Sequence, residues 1–144
     1  MHYEGSFKVS SDKEKVYAFI TNLEKFTAVF PDVEDVKVLD ENNATLRAKV
    51  GISFIKGTVN VKLAVTDKKE AVFVKMKARG TGNVGSVDMD STFNLEDSDG
   101  GTQVKWATDA MVGGTMAGVG SRLMDAASNK YIKQIISTVQ KKLS

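Results

Sequence analysis

From Val36 to Val112 apolar and polar residues alternate almost without interruption, and immediately afterwards the apolar spacing lengthens to that of a helix. Successive side chains of a strand point to opposite faces, whereas a helix returns to the same face about every 3.6 residues, so this switch divides the chain into a sheet and a terminal helix. Val36 and Val38, then Ala44, Leu46, Ala48 and Val50, form a hairpin about the turn residues Asp40 to Asn43. Ile55, Val59, Val61, Leu63 and Val65 share one face of the next strand with Gly57, and Val72, Val74, Met76 and Ala78 share one face of the strand after it. Val87, Met89, Ser91, Phe93 and Leu95 continue the pattern to a Ser98-Asp99-Gly100-Gly101 turn, and Val104, Trp106, Thr108, Ala110 and Val112 complete it. Gly113 and Gly114 break the last strand. From Thr115 to about Leu143, Met116, Val119, Leu123, Ala127, Tyr131, Ile135 and Val139 lie on one helical stripe, which predicts a helix of roughly 40 Å.

Ahead of this block, Tyr3, Gly5, Phe7 and Val9 alternate as a strand. Ser10, Ser11 and Asp12 can cap a helix whose buried stripe is Val16, Phe19, Ile20 and Leu23. Phe26, Val29 and Phe30 add a short helical turn that Pro31 stops, since proline lacks the N–H and restricts its predecessor. The order is one strand, two short helices, six strands joined by short turns, and a long helix. It predicts an α+β fold in which a curved antiparallel sheet of about seven strands wraps the C-terminal helix. Parallel strands would need helical crossovers, and none interrupts the strands. No linker or repeat divides the 144 residues, so residues 1–144 are read as one domain.

Little in the composition points to catalysis. Lys and Arg number 20 against 18 Asp and Glu, a net charge of +2 without the imbalance of a nucleic-acid binder. There is no cysteine, and His2 is the only histidine, so a nucleophilic triad, a two-histidine metal site and a redox thiol pair all lack their side chains. Asp88, Asp90 and Asp109 fall on the polar faces of their strands, a poor place for an acid–base pair. Gly118-Val119-Gly120 lacks the strand–turn–helix unit of a dinucleotide loop, and Gly118 and Gly120 either let the helix pack closely or leave space beside it. The expectation is a protein without catalytic residues, metal or cofactor. Met1 to Ser10 has neither the basic start nor the apolar run of a signal peptide, and no stretch approaches the roughly 20 apolar residues of a membrane span. A cytoplasmic chain is expected, with any membrane contact peripheral and at the inner face. Lys130, Lys133, Lys141 and Lys142 suit either an anionic surface or the negative end of the helix dipole.

What points inward is more informative. Met76, Met89, Met116 and Met124 are flexible thioethers that fit irregular apolar shapes, and so can line a pocket as readily as fill a core. Ser91, Thr108 and Ser53 are in phase with apolar neighbours, and each needs a hydrogen-bond partner if buried.

The run Gly101-Thr102-Gln103-Val104-Lys105-Trp106, continued by Gly113-Gly114-Thr115-Met116-Ala117-Gly118-Val119-Gly120-Ser121-Arg122-Leu123-Met124, resembles the C-terminal signature of the CoxG family, named for a subunit of carbon monoxide dehydrogenase. Gly5-Ser6-Phe7-Lys8-Val9 and Val16-Tyr17-Ala18-Phe19-Ile20 are similar to its start. Two departures are Val29-Phe30-Pro31-Asp32, where relatives often carry a Cys-Ile-Pro-Gly-like run, and a stop at Ser144 where longer relatives continue into a membrane-seeking tail. The family belongs to the START-like (SRPBCC, Bet v 1-like) helix-grip superfamily. The resemblance implies a cavity between sheet and helix that holds a hydrophobic small molecule, an isoprenoid quinone or a lipid. It also implies partnership with a molybdenum hydroxylase of the carbon monoxide dehydrogenase type. Mapped onto this chain, the lining is expected at Phe30, Ile55, Met76, Met89, Trp106, Met116, Gly120, Leu123, Met124 and Ala127. Two other readings stay open: a cyclase or hydrolase of the same fold, and an interaction module that holds no ligand.

Overall fold

The computed structural model describes residues 1–144. In order it contains β1 (His2–Val9), α1 (Lys13–Thr21), α2 (Leu23–Thr27), β2 (Val33–Asp40), β3 (Asn43–Ile52), β4 (Ile55–Lys69), β5 (Phe73–Gly82), β6 (Gly85–Ser98), β7 (Gly101–Gly113), a 3-10 segment (Gly114–Val119) and α3 (Ser121–Lys142). The seven strands form one antiparallel sheet in the order β1-β7-β6-β5-β4-β3-β2. Every neighbour from β2 to β7 is also a neighbour in sequence, as short turns require. β1 is the exception and returns to β7, pairing Gly5 with Trp106 and Phe7 with Val104. Register shifts in β2 at Glu34/Lys37 and Val38/Asp40, and in β4 at Val65/Asp67, bend the sheet into the concave trough that takes α3.

Local chemistry fixes the helices. Asp12 caps α1 by accepting from the Lys15 N–H at 2.9 Å, and Asn22 both ends α1 and caps α2, accepting from the Lys25 N–H at 3.1 Å. Val16, Ile20, Leu23 and Phe26 of this pair are buried with Val74, Leu95 and Val104 of the sheet, Val139 of α3 and Leu143 just past its end, forming a dense core at one end. The carbonyl of Leu143 accepts from both the N–H and the hydroxyl of Ser11, at 3.0 and 2.7 Å, and pins the end of α3 there. A second cluster of Ile55, Val59, Val84, Met116, Val119 and Met124 closes the opposite end. There Gly57 lies so close to Val84 that a Cβ would sit 2.6 Å from its methyl.

The terminal helix begins later than its periodicity predicts. Gly114 and Gly120 adopt φ of 68° and 91°, which glycine tolerates best, and the six residues Gly114–Val119 wind as 3-10 helix. Three-residue spacing puts Met116 and Val119 on one side in either helix type, so the apolar stripe could not separate the two. α3 proper has 22 residues, about 33 Å rather than 40 Å.

Candidate ligand-binding cavity

α3 is held at both ends and spans the trough between them without filling it. Its inward residues Ala127, Ser128, Tyr131, Ile132, Ile135 and Ile136 remain half-buried although they face the sheet. Opposite them Val61, Leu63, Val87, Met89 and Phe93 are half-buried on the inner face of the strands. The intervening space forms two apolar chambers. One, of about 370 Å³, lies under β3, β4 and β5 against Ala48, Val50, Val59, Val61, Leu63 and Met76. The other, of about 240 Å³, lies between β1, β7 and the second half of α3, against Tyr3, Phe7, Trp106, Ile132 and Ile135. Phe26, Phe30, Met89, Phe93, Ser128 and Tyr131 line both and stand where the two adjoin. Their aromatic rings pack edge to face, Phe26 lying 5.2 Å from Phe30 and 5.7 Å from Phe93, with Phe30 6.5 Å from Tyr131.

Few polar atoms reach this interior. Ser91 and Thr108 sit opposite each other on β6 and β7 with hydroxyls 2.8 Å apart, so one donates to the other and the acceptor's own hydrogen is left for a further partner. The Tyr131 hydroxyl donates to the Pro31 carbonyl at 2.8 Å, tying α3 to the loop that follows α2. Burial, reinforced by the charge of Asp32, pushes its phenol up to about 12. Tyr3 donates to Asp125 at 2.7 Å, and its phenol too is raised by burial. Trp106 lies across Gly5, where a Cβ would come within 3.0 Å of its ring, and its buried indole N–H has no acceptor. The charged residues on the lining, Asp32 and Lys49, are exposed at the rim of the larger chamber. No three His, Asp or Glu side chains converge as a metal site would need, and no helix is long and apolar enough to cross a membrane.

Of the residues expected on the lining, Phe30 and Met89 stand where the chambers adjoin, Met76 and Ala127 in the larger chamber, and Trp106 and Met124 in the smaller. The other four lie in neither chamber. Ile55 and Met116 are buried together in the end cluster, because the 3-10 segment carries Met116 down onto Val84. Leu123 is 50% exposed: four-residue steps turn about 40° past a full turn each time, so Leu123 falls well away from the side of α3 that buries Met124 and Val139. Gly120 has nothing within 4 Å of a Cβ position, so its smallness makes no room for packing and its role is the φ of 91° that joins the two helices. Ser53 also differs from its phase, standing exposed at a hairpin tip with φ of 57°. Sequence reasoning missed Phe26, Ser128 and Tyr131 as residues shared by both chambers. The signal was there for Tyr131, an aromatic with a polar tip on the apolar stripe of α3.

A curved seven-stranded sheet gripping a long helix over a hollow apolar interior is the START-like helix-grip fold, and solved structures share it. A conserved protein from Geobacillus kaustophilus superposes with a TM-score of 0.90 at 22% identity, covering 99% of this chain and 95% of that one. The Zhui aromatase/cyclase from Streptomyces sp. R1128 gives 0.70 at 15% identity, with 99% and 93% covered. A START superfamily protein from Mycobacterium smegmatis gives 0.70 at 12% identity, with 99% and 96% covered. No curated protein matches the chain in sequence. The sequence profile of the carbon monoxide dehydrogenase CoxG family matches residues 5–144, and the chain belongs to that family.

Proposed function

We propose that this protein binds and carries a hydrophobic small molecule, of the isoprenoid quinone or lipid class, without transforming it, as an accessory to a molybdenum hydroxylase of the carbon monoxide dehydrogenase type. The observation that carries this reading is the pair of adjoining chambers, whose apolar walls are left half-buried while the charged residues stay at the rim. Exposed apolar surface inside a fold is unfavourable in water by about 25 cal/mol per Å², which an apolar guest would recover. Chambers of this size with apolar walls suit a small apolar molecule. The hydroxylase partnership rests on the family alone. A cyclase of this fold would need a group to move a proton at the ligand, and Tyr131 serves that poorly, with its hydroxyl committed to the Pro31 carbonyl and its phenol pushed up to about 12.

The chain's single tryptophan, Trp106, lines the smaller chamber and provides the assay. Titration with a decyl-chain benzoquinone should quench its fluorescence saturably, and Ala127→Phe, which puts a ring into the larger chamber, should weaken that quenching at least tenfold. Mass spectrometry of an organic extract of the protein from its native cells should find a stoichiometric apolar molecule. An empty extract together with linear, unsaturable quenching would refute the carrier reading and favour an interaction module.

A further inference from the structure

The walls of the two chambers carry few hydrogen-bonding groups, and nearly all of them are already engaged. The Tyr131 hydroxyl donates to the Pro31 carbonyl and the Tyr3 hydroxyl to Asp125, with Ser128 beside that phenol. The Thr27 hydroxyl donates to the Leu23 carbonyl at 2.7 Å, one turn back in its own helix. The Trp106 indole N–H has no acceptor, but the protein itself buries it out of a guest's reach. What remains is the pair on β6 and β7. Ser91 and Thr108 are half-buried with their hydroxyls 2.8 Å apart. Whichever of them donates, two hydroxyls hold two hydrogens and their bond uses one, so a single O–H is left over. No backbone carbonyl takes it, as helical carbonyls do from Thr21, Thr27 and Thr138, because the carbonyls of paired strands are engaged in the ladder. Ser91 lines both chambers and Thr108 the smaller, which puts the free O–H where the two adjoin, among Phe26, Met89 and Phe93. No Asp, Glu, Lys or Arg lines the smaller chamber. The neighbouring Met1 ammonium and Asp125 carboxylate are exposed, bonded to the Ala110 carbonyl and to Tyr3.

One spare donor in an uncharged apolar wall discriminates among guests. A plain hydrocarbon strips the O–H of water and leaves it unpaired, which is unfavourable. A carboxylate could accept from it but would bring a charge that no cation on the wall meets. An uncharged oxygen acceptor takes the hydrogen and adds no charge. We propose that Ser91 and Thr108 are the specificity determinant of the cavity, their free O–H donating to a carbonyl oxygen of the guest while its apolar remainder lies against Met89, Phe93 and Phe26. This deepens the carrier reading, on which it rests: the pair selects neutral, oxygen-bearing guests over hydrocarbons and over ionised fatty acids. It also fixes one point of the guest, since the oxygen must sit at the β6–β7 wall.

Titration calorimetry with three compounds of similar size tests it: the ketone valerophenone, the hydrocarbon pentylbenzene and the carboxylate phenylvalerate. A single substitution would leave the partner's hydrogen free to make the same bond, so Ser91→Ala and Thr108→Val are made together, removing both hydroxyls at nearly constant shape. Valerophenone should bind this double variant about fivefold more weakly, and pentylbenzene within about twofold of its wild-type affinity. The exchanged pair, Ser91→Thr with Thr108→Ser, keeps both hydroxyls and should bind valerophenone within about twofold of wild type. Phenylvalerate, ionised at neutral pH, should bind the wild type at least about tenfold more weakly than valerophenone does. The wild type alone gives a further readout: the infrared carbonyl stretch of bound valerophenone should fall below its frequency in hexane, as that of a hydrogen-bonded ketone does. An unshifted band, valerophenone binding that survives the double variant, or equal loss of ketone and hydrocarbon would overturn the determinant and leave the carrier reading standing. So would phenylvalerate binding as tightly as the ketone. A wild type that binds neither valerophenone nor pentylbenzene would overturn the carrier reading, and this assignment with it.

Discussion

Placing a phenylalanine at position 127 separates a hollow interior from a filled one by the sign of its effect. Ala127 lies on the inward face of α3 over the chamber of about 370 Å³. A cavity on the order of 150 Å³ is already enough to take up benzene, so a phenyl ring fits without displacing the walls. Burying it should contribute about 1.5–3 kcal/mol. Against that stand about 0.5 kcal/mol of lost helix propensity and about 0.5–1 kcal/mol for ordering the side chain. The ligand-free variant should therefore range from unchanged to roughly 2 kcal/mol more stable. In a packed core the same insertion costs about 1–3 kcal/mol. Urea unfolding followed by both Trp106 fluorescence and far-ultraviolet circular dichroism measures the difference, the midpoint rising or holding at constant slope. Quinone quenching should weaken in parallel. A variant destabilised by more than about 1 kcal/mol that still quenches would refute the reasoning, since it would mean that α3 rests on the sheet in solution and that any guest binds elsewhere.

Other perturbations have distinct signatures. Tyr131→Phe removes the bond to the Pro31 carbonyl and should cost about 1 kcal/mol by urea unfolding. In an ultraviolet pH titration of the three tyrosines it should remove the last phenol to ionise. Because that phenol titrates higher in the folded chain than its usual value near 10, the stability it contributes is complete below that pH and is lost as pH rises toward about 12. Val104→Ala, at a fully buried position in the dense core, should cost roughly 2–3 kcal/mol with quenching preserved. The Asp40 carboxyl is held below its usual value by hydrogen bonds from Asn43 and Asn42, so its contribution exists above pH 3.8 and disappears as pH falls through its lowered value. Asp40→Asn should accordingly flatten the acid limb of a stability–pH curve.

The strands and their faces were legible because a period of two has no competitor over runs as long as β4 and β6. Met76, Met89 and Trp106 could be placed on the concave side for the same reason. The errors cluster where one pattern serves two structures. Met116 and Val119 are three apart, which fits 3-10 and α-helix alike and hid the break at Gly120, while a stripe of four-residue steps drifts about 40° per step and so drew Leu123 inward. Phase also cannot tell a chamber wall from a plug: Ile55 and Met76 obey the same alternation, but only the second stands opposite the gap beneath α3. The hydrogen bond between Ser91 and Thr108 depends on the pairing of β6 with β7, which no single strand's pattern reveals.

The return of β1 to β7 bears on how this protein comes to be folded at all. His2 and Asp109, hydrogen-bonded across that pair, are 107 positions apart, whereas every other strand finds its partner one hairpin away. During synthesis the meander can zip up as it emerges, but β1 must wait roughly a hundred residues for its only neighbour. Until then Val9 has no strand beside it, although Val16, Ile20 and Phe26 can already meet Val74 of β5 and Leu95 of β6. Closing that long loop is entropically costly and comes late, so the step that sets the folding rate should be the arrival of β7 beside a strand made long before it.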